Sequence, residues 1–74
     1  MRLIPARVTA VEQRGAQYQV VVEITQKYRG SFNTLIFGDI KPYSGSLNAG
    51  RLDLVYFQNP HLSIGDLFSL WTLH

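Results

Sequence analysis

The chain contains no cysteine. That excludes disulfides and thiolate metal sites, and with them the reading of a disulfide-stapled secreted scaffold. Two histidines, His61 and His74, cannot close a structural zinc site by themselves, so no metal or other cofactor is expected. Charge is sparse: 16% of residues, with seven Lys and Arg against five Asp and Glu, for a net +2. Such a balance permits a polyanionic partner without demanding one. The apolar runs fall far short of the roughly 20 residues that cross a bilayer as a helix. Pro5 and Arg7 interrupt the only stretch where a secretory signal would need an apolar run. The expectation is a soluble, cytoplasmic protein with no membrane association. No window of helical length carries a clean apolar stripe, so no substantial helix is expected.

What is present is alternation. In residues 16–26, Tyr18, Val20, Val22 and Ile24 fall on one side of a period-two pattern, and Gln17, Gln19, Glu23 and Thr25 on the other. Only Val21 breaks it. Residues 4–12 repeat the pattern with Ile4, Ala6, Val8 and Ala10, and Gln13-Arg14-Gly15 joins the two runs. This describes a hairpin with one face in a core and one in water. After a loop at Lys27-Tyr28-Arg29-Gly30-Ser31, residues 32–37 read as a third strand, rich in aromatic and β-branched side chains. Residues 38–50 hold Pro42, Gly45 and Asn48 and read as a long connection without helical periodicity. A fourth strand spans 51–57, with Leu52, Leu54 and Tyr56 on one face. Asn59-Pro60 ends it. A fifth spans 67–73.

Seventy-four residues make one small domain over 1–74, burying roughly 60% of the surface of its unfolded chain. Without disulfides or metal, oligomerisation is the remaining way to add stability, so a homo-oligomer or a protein partner is expected. Five short strands with a long link after the third predict an all-β, five-stranded barrel, OB-like rather than SH3-like. The turn Leu62-Ser-Ile-Gly-Asp66 before the last strand resembles one seen in small β-barrels, including molybdate-binding TOBE domains and the barrels of translation factors. The resemblance covers this turn and the strand after it, and implies a small barrel and no site residue.

Two surfaces emerge as candidates. Lys27, Tyr28, Arg29 and Phe32 interleave cations with aromatic rings, and Lys41, Tyr43 and Arg51 extend the set if the long link folds over the same face. Cations that track phosphates beside rings that stack on bases are the chemistry of single-stranded DNA or RNA binding. The plainer alternative is a solvated loop whose rings pack on the barrel rim. The second surface is an apolar surplus: Val21, Leu35, Phe37, Val55, Phe57 and Trp71 fall opposite the main core set, more than one small interior holds. Exposed together, they would form a protein interface.

Catalysis finds no support. His61 beside Asp53 or Asp66 would be an acid–base pair, yet no nucleophile motif accompanies it, and a turn histidine after Pro60 is the simpler reading. Gly38, Gly45 and Gly50 fit neither a phosphate-binding loop nor a dinucleotide fingerprint. The expected function is a non-enzymatic binding module, for single-stranded nucleic acid first and protein assembly second.

Overall fold

The computed structural model describes residues 1–38 and 40–73. They form seven antiparallel strands in two sheets and no α-helix. The strands are β1 (Arg2–Leu3), β2 (Ala6–Arg14), β3 (Gln17–Ile24), β4 (Leu35–Phe37), β5 (Ser44–Asn48), β6 (Arg51–Tyr56) and β7 (Leu70–Thr72). A single 3-10 turn, Phe32–Thr34, precedes β4. One sheet has the order β2-β3-β6-β5, the other β1-β7-β4.

The opening hairpin forms as its alternation predicts, with two adjustments. Its turn is Gly15-Ala16 between the paired Arg14 and Gln17, so β2 runs two residues further than expected and β3 starts one residue later. Gly15 has φ of 59° and Ala16 stays negative, the pattern of a type II′ turn whose twist suits a tight hairpin. The second adjustment is a bulge. Val8 pairs with Val22 but Ala10 pairs with Val21, leaving Thr9 as the extra residue. The bulge flips the phase of the alternation. Ala10, expected inside, is exposed, and Val11 packs against the core in its place.

The core lies between the sheets. The four-stranded sheet contributes Ala6, Val8, Val20, Val22, Ile24, Leu52, Leu54 and Tyr56, and the other side contributes Ile4, Leu35, Phe68 and Leu70. Along one side the sheets are joined by continuous chain. β1 runs into β2 through Ile4 and Pro5, and Ile4 donates to Leu70 O at 2.8 Å. Residues 65–68 pair first with β2: Val8 N donates to Asp66 O (2.9 Å) and Phe68 N to Ala6 O (3.0 Å), before the chain enters the small sheet as β7. Along the other side, β4 and β5 form no ladder. Phe32 and Phe37 fill that side, their rings 5.7 Å apart, and Phe37 meets Phe68 at 6.0 Å.

The expected five-stranded barrel is therefore corrected: the fold is all-β with two sheets, and no closed barrel forms among the described residues. Two strands were hidden in the sequence. β1 is only two residues long, and β5 lies inside the stretch read as a link. The expected third strand is half 3-10 turn, and the fifth is reduced to Leu70–Thr72 with a single bridge at Leu67. No helix among the described residues is long and apolar enough to cross a membrane.

Candidate functional site

β5 and β6 position the site. They join through Ala49-Gly50, whose φ values of 53° and 81° are both positive, as a type I′ turn requires. Leu52, Leu54 and Tyr56 point inward and are buried, so Arg51, Asp53 and Val55 point outward, and Phe57 continues that face. Tyr43 N donates to Val55 O at 2.8 Å, which holds the start of β5 against this point. The rings of Tyr43 and Phe57 then meet edge to face, 4.7 Å between centroids. Both are open to solvent, Tyr43 at 74% and Phe57 at 49% exposure. Lys41 lines the same shallow depression together with Ile40, Tyr56 and Gln58, and makes no ion pair among the described residues.

This arrangement divides the expected nucleic-acid set. Lys41 and Tyr43 come together. Tyr28 is half-buried, packs on the core and hydrogen-bonds Thr34 through its hydroxyl, while Thr34 Oγ1 donates to Ser31 O. Phe32 is likewise half-buried against the core. Tyr28 is thus taken up in packing, whereas Phe32, although packed against the core, also lines a surface depression with Lys41, Pro42 and Tyr43. Arg51 is bound to Asp53 Oδ1 at 3.1 Å, and it lies four positions along β6 from Val55, about 13 Å at the usual rise of a strand. Lys27 and Arg29 are exposed and make no ion pair among the described residues, but they follow the end of β3 where Ile24 N bonds Gly50 O. That is the opposite end of β6 from Phe57.

The expected interface set also divides. Val21 and Val55 are half-buried on the outer face of the four-stranded sheet, with Gln19 paired to Val55 and Asp53 to Val21, so they form a diagonal that leads to Phe57 and Tyr43. Leu35 and Phe37 are corrections: Leu35 is buried, Phe37 packs against Phe68, and both face inward because β4 alternates the other way. The outward residue of β4 is Ile36, which pairs with Trp71, itself paired to Leu3. Trp71 thus belongs to a different face, the outside of the small sheet.

Around the diagonal, charge alternates. Arg7, Glu23 and Arg51 succeed one another across β2, β3 and β6, and Arg14 binds Glu12 at 2.9 Å. Arg7 also donates to Gly65 O at 3.0 Å. His61 pairs with neither Asp53 nor Asp66: Asp66 accepts from Ser63 N, Asp53 from Arg51, and His61 N donates to Asn59 Oδ1. His74 lies outside the described residues. No group of three His, Asp or Glu side chains among the described residues is placed to hold a metal ion.

Phe57 was missed as a partner of Tyr43 because β5 was not recognised. Its signal was Leu47 and Leu52 flanking Ala49-Gly50, a pair that faces inward once the turn closes. No family model, curated protein or solved structure matches the chain.

Proposed function

We propose that the chain is a non-enzymatic binding module that holds single-stranded nucleic acid on the outer face of its four-stranded sheet. The observation that carries this reading is the exposed Tyr43–Phe57 pair beside Lys41, which makes no ion pair among the described residues. An edge-to-face pair fixes two rings at little entropic cost and leaves ring faces open for a base to stack on. Lys41 supplies a phosphate contact. The mixed charges elsewhere on the face keep the electrostatic term small, so the module binds weakly and with little sequence preference. On this reading the four-stranded sheet plays the part of the ligand-bearing face of an OB-like barrel.

A titration of a labelled single-stranded oligonucleotide at several salt concentrations tests the proposal. Binding that weakens with salt and is lost in Tyr43→Ala supports it, and absence of binding at low salt refutes it.

A second reading, a protein-assembly surface, draws on the diagonal of Val21, Val55 and Phe57 that ends at the same tyrosine. It predicts a protein partner that competes for Tyr43 and binding insensitive to salt.

A further inference from the structure

The free edges of the two sheets are protected unequally. Natural sheets guard their edges with short strands, charges, bulges or covering chain. β1 and β4 are only two and three residues long. β2 carries a bulge at Thr9, the charges of Arg7, Glu12 and Arg14, and a cover of residues 65–68 over its first half. β5, Ser44-Gly45-Ser46-Leu47-Asn48, has five residues, no charge and no proline, and among the described residues it pairs on one side only, with β6.

The geometry points to β5 as the edge through which two copies of this chain pair antiparallel about a twofold axis at Ser46. Hydrogen-bond phase comes first. The two-residue turn makes Asn48 and Arg51 its closing pair, so Asn48, Ser46 and Ser44 turn their N–H and C=O groups toward β6. Gly45 and Leu47 therefore turn theirs to the free side. In an antiparallel pair centred on Ser46, Gly45 of one copy faces Leu47 of the other twice, and these are the residues with free groups. Four backbone hydrogen bonds follow without a register shift.

Side chains agree with that register. Gly45 and Leu47 both face inward, so each contact sets the smallest residue against a large one. On the outer face Ser44 meets Asn48 and Ser46 meets Ser46, with no like charges opposed. A second copy is thus an occupant with matching size, polarity and hydrogen-bond phase. The pairing also places Arg51 and Asn48 of one copy on the same row as Ser44 and Val55 of the other, which brings that arginine toward the partner copy's Tyr43–Phe57 pair. The inference stands whether or not nucleic acid is the ligand.

Sedimentation velocity over a concentration series, without nucleic acid, tests it. The wild-type chain passes from monomer to dimer as concentration rises. Ser46→Lys sets two ammonium groups opposite each other across the axis and weakens dimerisation about tenfold. An equimolar mixture of Ser46→Lys and Ser46→Glu restores the dimer, since opposite charges then meet. Amide hydrogen exchange gives an independent readout on the unaltered chain: the Gly45 and Leu47 amides slow as the dimer fills. A wild-type chain that stays monomeric overturns the inference. So does a Ser46→Lys variant that dimerises like wild type, or exchange at Gly45 and Leu47 that ignores concentration.

Discussion

Phe32 lies over Gly45 so closely that a Cβ built on that glycine would come 2.7 Å from Phe32 Cε2, 2.8 Å from Leu54 Cδ2 and 3.0 Å from the Asp53 carbonyl oxygen. Gly45 faces inward on β5, opposite Leu54, and the space where its side chain would stand is occupied by the ring. The same ring continues to Phe37 and, through it, to Phe68. This aromatic run covers the side of the core that no ladder closes. Gly45→Ala is expected to lower stability by about 1–3 kcal/mol through overpacking. Urea denaturation should show an earlier midpoint with an unchanged slope. A midpoint equal to wild type would mean that Phe32 is free to move and does not seal the core.

Thr72 is 1% exposed, and its hydroxyl has no hydrogen-bond partner among the described residues. It points inward between Arg2 and Leu35 across the small sheet. Valine has nearly the same shape and removes the unsatisfied oxygen, whose burial costs on the order of 1–3 kcal/mol. Thr72→Val should therefore raise the melting temperature by roughly 4–8 °C per kcal/mol recovered. Thermal unfolding followed by circular dichroism checks this. A lower melting temperature would indicate that the hydroxyl has a partner after all.

Ala49 stands at φ of 53°, a conformation that costs an alanine about 1 kcal/mol and suits asparagine or glycine. Ala49→Asn creates Asn-Gly, the preferred pair for a type I′ turn. The expected gain is about 0.5–1 kcal/mol, read as a later urea midpoint, with the β5–β6 register unchanged. Loss of stability in this variant would argue that the turn is of another type.

The parts of the fold legible in the sequence were those with strong alternation. Val20, Val22 and Ile24 of β3 and Leu52, Leu54 and Tyr56 of β6 are buried as their spacing implies. The rest was hidden for identifiable reasons. A bulge consumes one residue, so alternation through Val8, Thr9 and Ala10 reads straight where the structure changes phase. β5 contains one large apolar residue, Leu47, because Phe32 takes the place of a side chain at Gly45; periodicity has nothing to register there. The site followed the same rule. Tyr28 and Phe32 stand close to Lys27 and Arg29 in sequence, but Phe32 opens a 3-10 turn that packs it against the core, and the Tyr28 hydroxyl bonds Thr34 of that turn. Tyr43 and Phe57 are 14 positions apart and meet only because Ala49-Gly50 folds β5 onto β6.

Arg51 should prove a poor contact for ligand within a single copy, because Asp53 holds it and the strand carries it away from Tyr43. Exposed pairs of this kind contribute little to stability. Arg51→Ala is expected to leave the urea midpoint within about 0.5 kcal/mol of wild type. Under conditions where the chain is monomeric, it should also leave oligonucleotide affinity unchanged. A large loss of affinity in the monomer would place the arginine in the site.

The most direct measurement is fluorescence anisotropy of a labelled single-stranded oligonucleotide with the wild-type chain and with a Tyr43→Ala, Phe57→Ala double variant. Tyr43 is largely exposed and Phe57 about half exposed, so their removal should leave the fold intact, as circular dichroism would verify. The account predicts wild-type binding that weakens with salt, and a double variant weaker by about 1–3 kcal/mol for each base that stacked. Equal affinity of the folded double variant and wild type, or no binding by either at low salt, would contradict it.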